Sequence, residues 1–291
     1  MEYLTDLDNR VNEVVNVLAW VDPDYGPRDT DELFLGAYML YRWQEQTDSH
    51  IFIPDIAWRL QHSIGKSKRI AIRTEGEFFT IQGRSGALAF TGDCPPAPCN
   101  EGNGRIYNAL ARIGVLEPGK WAFRFEGGFA SGDTNLRGDP TLKTRGFNTN
   151  VKVGLLMYQV ALKALGYDRL SRFNATELGP NGSVWNSKYL YPQYRIMIVP
   201  GLEAHATFLV GWASKLDPIV FNVPGGNDSC GLSKDCFLGW EADFALRARI
   251  GQDIVWVDLE GGVMQPGKAF TNAGVADSFL WTIQMRAAMV F

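Results

Sequence analysis

Ser278-Phe-Leu-Trp-Thr-Ile-Gln-Met-Arg-Ala-Ala-Met-Val-Phe291 alternates with period two. Phe279, Trp281, Ile283, Met285, Ala287, Met289 and Phe291 fall on one face of a strand, and Thr282, Gln284 and Arg286 on the other, because successive strand side chains point to opposite sides. Such a strand stands between an apolar phase and water. A soluble sandwich also makes strands of this kind, but here the pattern recurs through most of the chain in elements of about ten residues, the length that crosses a bilayer.

The other alternating segments are 33–44, 53–61, 68–80, 106–115, 121–129, 190–199, 202–213, 238–250 and 254–263. Short turns rich in Gly and Pro join some of them, at 116–120, 200–201 and 251–253; the connections 83–104, 131–182, 214–237 and 265–277 are long. Short turns alternating with long loops predict an all-β fold, an antiparallel up-and-down transmembrane β-barrel of roughly 10 to 12 strands, with the turns in the periplasm and the loops outside. The whole chain, 1–291, reads as one such domain. With the last strand running towards the periplasm, the direction of every strand is consistent only if 131–182 adds no net strand. That segment contains Gly146 to Leu165, apolar enough to need burial, so it is predicted to fold inward as a long outer loop, helical from about Leu155, and to narrow the pore; two further barrel strands are the alternative. Segment 1–31 is less regular. Val11 to Val21 suits a strand, but one starting outside the cell, which implies at least one upstream strand in an even-stranded barrel; the start also has no secretory signal. Truncation at the N-terminus is the expectation that covers both points.

Composition narrows the function. The 291 residues include 31 Gly and 14 Pro, and 12% are aromatic, which fits many strands, many turns and interfacial girdles. A mean hydropathy of −0.12 does not argue against a membrane, because only alternate residues of a barrel strand touch lipid. A net charge of −4, with arginines scattered among acids, gives no footprint for nucleic acid. The cysteines form two close pairs, Cys94 with Cys99 and Cys230 with Cys236, each in a turn-rich loop. Local disulfides formed in an oxidising compartment are expected, with free thiols or, less well supported by spacing, zinc as alternatives.

Several segments resemble a known family: Leu40-Tyr-Arg-Trp43, Trp121-Ala-Phe-Arg-Phe-Glu-Gly-Gly-Phe-Ala-Ser-Gly-Asp133, Gly146-Phe-Asn-Thr-Asn-Val-Lys-Val-Gly-Leu-Leu-Met157, Val184-Trp-Asn-Ser-Lys-Tyr-Leu190, Leu238-Gly-Trp-Glu-Ala-Asp-Phe244 and Leu259-Glu-Gly-Gly-Val-Met-Gln-Pro266. Their order and spacing resemble the large outer-membrane porin-like barrels of the alginate-export type and their relatives in myxobacteria and other deltaproteobacteria. The resemblance implies a barrel in the outer membrane of a Gram-negative bacterium that passes solute. It does not carry over alginate as substrate.

Because a charge facing lipid at mid-depth costs about 2–4 kcal/mol, the alternation sorts the charged residues onto the inner face. The expected pore-lining set is Arg42, Asp55, Arg59, Arg69, Arg73, Glu75, Glu77, Arg112, Arg124, Glu126, Arg195, Glu203, Glu241, Asp243, Arg247, Arg249, Asp258, Glu260 and Arg286. Met39, Trp58, Ile72, Ile113, Phe123, Ile196, Phe208, Phe244, Val257 and Met285 occupy the opposite face. Near-equal numbers of acids and arginines predict a wet wall of mixed charge, with Arg247 and Arg249 as the start of a basic ladder and Glu241 and Asp243 nearer the outer rim. Trp43, Trp58, Trp121, Trp240 and Trp281, with Tyr41 and Phe291, suit girdles at the lipid headgroups. His205 shares a face with Glu203, but there is no nucleophile motif, metal-type His spacing or phosphate loop, so it reads as a wall residue. No enzyme activity, cofactor or metal is expected. The partners are the lipid bilayer and a small polar or charged solute, and the oligomeric state is left open. Two functions compete: an outer-membrane channel for diffusion or export of small polar solutes, and a plugged barrel whose loops contact a partner or a surface polysaccharide.

Overall fold

A computed structural model describes residues 11–23, 25–27, 31–45, 48–65, 67, 69–85, 102–134, 136, 141–148, 151–172, 179–251, 255–275 and 277–289. In chain order the strands are β1 (Asn12–Asp22), β2 (Glu32–Gln44), β3 (Ser49–Ile64), β4 (Ile70–Ser85), β5 (Gly102–Glu117), β6 (Trp121–Ala130), β7 (Thr141–Leu142), β8 (Ser187–Val199), β9 (Leu202–Ala213), β10 (Phe237–Ile250), β11 (Val255–Pro266) and β12 (Leu280–Met289). All but β7 form one meander in which each strand pairs antiparallel with the next; β7 is a two-residue parallel addition to β5. The fold is therefore the antiparallel up-and-down barrel that the alternation predicts. Among the described residues, β1 pairs only with β2 and β12 only with β11.

The tight ends follow local chemistry. At the β5–β6 turn Pro118 fixes one φ and Gly119 takes φ +78°, while Lys120 N–H donates to the Glu117 carbonyl at 3.0 Å. Strands overrun the alternating segments at several places. β3 continues to Ile64 and β5 begins at Gly102, because hairpin hydrogen bonds persist beyond the apolar band.

Register places two different surfaces back to back. Ile113, Phe123, Phe244 and Ile283 are 54%, 46%, 52% and 70% exposed on one face, an apolar surface without protein cover. Tyr41 stacks on Trp43 and Phe208 on Trp240 on this same outward side.

The other face curls around the connection between β6 and β8. Part of that connection is helical: a π-helical turn, Met157–Leu162, runs into α1 (Lys163–Ser171). Val153, Leu156, Met157, Tyr158, Ala161, Leu162, Leu165 and Leu170 are buried, and Val153, Met157, Ala161 and Leu165 recur four residues apart, so one helical stripe faces protein. Tyr158 packs edge-on against Tyr189 of β8. A β-carbon on Gly211 of β9 would stand 2.7 Å from the Met157 sulfur, and one on Gly262 of β11 would stand 3.6 Å from the Leu155 β-carbon. Phe147 and Val151, at the start of the segment, border a cavity with Ile53 of β3 and Phe79 of β4. One segment thus touches strands from β3 to β11, which requires a strongly curved sheet with the segment inside.

The hydrophobic core lies where this segment meets the long connections, not between two sheets. It joins Leu156, Met157, Tyr158 and Leu162 to Trp185, Leu209, Phe221, Leu238, Met264 and Phe270, the last in the short helix α2 (Lys268–Asn272). Cys230 and Cys236 are disulfide-bonded within the β9–β10 connection, as their spacing predicts. Cys94 and Cys99 lie outside the described residues. No described helix is long and apolar enough to cross a membrane.

Candidate functional site: the charged inner face

Pairing fixes which side chains share the inner face. Arg59 faces Glu75, Glu75 faces Arg112 and Arg112 faces Glu126 across β3 to β6. The same face continues through Arg195, Glu203, Arg247, Asp258 and Arg286 on β8 to β12. Register puts Arg42 of β2 on this face too, near the strand's far end. Arg69 immediately precedes β4 and is exposed.

Open space on this face includes a cavity of about 420 Å³ spanning β4 to β10, bordered by Arg73, Glu75, Arg112, Arg124, Arg195 and Arg247, with Gln193, His205 and Thr207 between them. Glu75 holds the cluster on one side. It pairs with Arg73 and Arg112 at 3.0 Å each, with Arg59 at 3.7 Å and with Arg124 at 3.8 Å. Arg112 also donates to Glu126 at 2.6 Å, and Tyr189 donates its hydroxyl to the same carboxylate at 2.6 Å. Glu126 is 1% exposed, so it anchors the arginines from beneath and does not itself border open space. On the far side Glu203 pairs with His205 at 3.3 Å and with Arg195 at 4.0 Å.

A second network runs along β10 to β12. Glu260 accepts from Arg286 at 2.6 Å, Gln284 at 2.8 Å and Arg247 at 3.4 Å, and Asp258 pairs with Arg247 at 3.6 Å and Arg286 at 3.8 Å. Arg249, next on the inner face after Arg247, lies with its guanidinium 4.6 Å from the Trp256 ring centroid.

Among the described residues the remaining acids, Asp55, Glu77, Asp243 and Glu241, form no ion pair with an arginine. Asp55 and Glu77 border a cavity of about 210 Å³ with Ile53, Phe79, Leu110, Phe147 and Val151, and a smaller one of about 160 Å³ links Glu77 to Glu75 and Arg112. Asp243 accepts from Thr207 at 3.2 Å. Glu241 is fully buried under the inserted segment, whose Leu155, Leu156 and Met157 amides donate to it at 2.5, 2.6 and 2.7 Å. It therefore lines no open space.

The chain is similar to outer-membrane proteins of Pseudomonas aeruginosa. OpdK is 10% identical, with 94% of this chain and 61% of that one covered at a TM-score of 0.44. OccK5 (OpdH) is 11% identical, with 97% and 68% covered at 0.46, and OccK2 (OpdF), in its complex with glucuronate, is 11% identical, with 95% and 62% covered at 0.38. The chain thus spans about three fifths of the length of OpdK. No family model matches the sequence, and no curated protein matches it.

Sorting by charge alone missed the neutral members of the cavity wall. Gln193 donates to Glu126 at 3.3 Å and accepts from Arg124 at 2.6 Å, so it belongs to the arginine network. Its position, two residues from Arg195, already put it on the right face. Trp256 was missed for the opposite reason, since an aromatic residue suggests the lipid face when read alone.

Proposed function

We propose that the chain forms the wall of a porin-like channel in a bacterial outer membrane, through which small polar solutes diffuse, with a preference for anions. The observation that carries this reading is the opposition of faces on a single sheet: an exposed apolar surface outside, and ion pairs around open cavities inside. A bilayer accounts for the first and water for the second. The anion preference is supported by the excess of arginines over carboxylates around the 420 Å³ cavity. The nineteen charged residues sorted by alternation are its lining, except where Glu126, Glu241 and Glu260 are closed off by protein. Kinship with the alginate-export type, and export as the direction of transport, belong to this proposal as finer expectations.

The second reading is a closed barrel that binds a partner through its long connections. It draws support from the complete burial of Met157, Tyr158 and Leu162, which seats the inserted segment firmly. Single-channel recording across a planar bilayer separates the two. Discrete ohmic steps with an anion-selective reversal potential in a KCl gradient support the channel, and deletion of 146–165 is expected to enlarge those steps. A heat-modifiable barrel that stays silent even after the deletion refutes it.

A further inference from the structure

At the long-connection end of β3, β4 and β5, a shallow hollow of about 410 Å³ is bordered by His50, Gln82, Arg84, Asn103 and Arg105, together with Gly83 and Gly104. His50 stands opposite Arg84, Arg84 opposite Asn103, and Gln82 between Phe52 and Arg105. These side chains therefore share the outward face with Phe52, Ile56, Phe78 and Tyr107, which are 37%, 57%, 43% and 40% exposed. Polar donors thus replace apolar side chains within one or two residue steps.

Two arginines and a histidine border the hollow. Arg84 donates to Asp48 at 3.0 Å, and the His50 ring stands 3.5 Å from Asp48 and 2.8 Å from the Tyr41 hydroxyl. No carboxylate pairs with Arg105 among the described residues. The backbones of β3 and β4 approach closely beneath the hollow. Gly83 has φ +147°, and a β-carbon there would stand 1.9 Å from the His50 carbonyl oxygen, so the position admits only glycine.

We propose that this hollow binds a phosphate of an outer-leaflet glycolipid headgroup, with Arg84 and Arg105 on the phosphate and Gln82 and Asn103 on the adjoining sugar. The proposal rests on the membrane reading above. Its location argues for a lipid source: the hollow adjoins the apolar band just past Tyr41, Trp43 and Phe52, the level at which interfacial aromatics mark the headgroups. Guanidinium groups suit phosphate because they present parallel N–H donors, and the amides of Gln82 and Asn103 suit hydroxyl and carbonyl partners. Long connections mark the outer side of a barrel of this kind, where the glycolipid lies.

The test uses the full chain refolded in detergent and titrated with bis-phosphorylated lipid A, with native mass spectrometry as the readout. One lipid is expected to remain bound to the wild type. R84Q/R105Q is expected to weaken binding about tenfold or more, R84K/R105K less, and dephosphorylated lipid A is expected not to bind. Equal retention by R84Q/R105Q, or equal binding of the dephosphorylated lipid, overturns the proposal. Displacement of the lipid by millimolar inorganic phosphate also overturns it, since the site would then be one for the free ion. Conductance of the same samples keeps the two readings apart. A conducting chain that holds no lipid A sinks this proposal alone, and a chain that enters no bilayer sinks both.

Discussion

Glu241 of β10 receives the backbone N–H of Leu156 at 2.6 Å, between two further amides from Leu155 and Met157. One buried carboxylate therefore binds the start of the inserted helix to the barrel wall. Charge-assisted hydrogen bonds of this kind contribute about 1.5–3 kcal/mol each, and loss of the charge leaves three amides facing a weaker acceptor. Glu241→Gln is expected to loosen the segment, giving larger or noisier single-channel steps together with a lower unfolding midpoint in denaturant. Unchanged steps and an unchanged midpoint would show that apolar packing alone seats the helix.

Gly154 should show the same phenotype through backbone geometry. It has φ +65°, and a β-carbon there would stand 2.7 Å from the Glu241 Oε2 and 2.8 Å from a Leu209 methyl. Gly154→Ala combines a disfavoured backbone conformation with a clash against the latch, at a cost of about 1–3 kcal/mol. Denaturant titration of the refolded protein measures it.

Adjacent residues of β12 provide a test of which face meets lipid. Ile283 points outward and Thr282 inward, opposite Gly262. Ile283→Arg is expected to lower stability in bilayers by about 2–4 kcal/mol, whereas Thr282→Arg is tolerated. Equal effects would contradict the orientation of the sheet.

The arginine cluster should set ion preference. Arg195→Gln combined with Arg247→Gln removes two positive charges from the 420 Å³ cavity. The reversal potential in a KCl gradient is expected to move towards cation selectivity, most clearly at low salt, where the pore charges are least screened.

Much of this was legible in the primary structure. Segment 202–213 coincides with β9, because alternation, a Pro-Gly turn before it and Trp212 near its far end agree. Strand parity placed Arg73, Glu75, Arg112 and Arg124 on one face for the same reason. β1 was harder to read: Val14 and Val15 make both of its faces apolar, so periodicity loses its contrast. The partners of Glu241 were beyond reach, since they are backbone amides 84 to 86 residues away in sequence and backbone has no sequence signature. Gln193 and Trp256 show that parity outranks chemical type in locating a wall residue.

Asp217, in the β9–β10 connection, also escaped sequence reading. It accepts from the amides of Ile219 at 2.9 Å and Val220 at 2.6 Å, and burial pushes its pKa from 3.8 up to about 6 despite those bonds. Between these values an opened loop has released the proton that the closed loop retains. The proton's contribution to closure is therefore fully present below about pH 4 and is lost as pH rises through 6. Protection factors at Ile219 and Val220, corrected for intrinsic exchange, are expected to fall roughly a hundredfold across this window. Asp217→Asn should remove the dependence.

The charges of the inner face are also ordered along the strands. Asp55, Glu77 and Asp243 lie eight or more residues from the tight turns of their hairpins, whereas Arg73, Arg124, Arg195, Arg247 and Arg249 lie within five; Glu203 and Asp258, which also lie within five, and Arg42 are the exceptions. A passage acidic at one mouth and basic at the other is electrically a diode. Current driven one way fills it with counterions of both signs, current driven the other way depletes it, and the ratio of the two would report the orientation of the protein without any label.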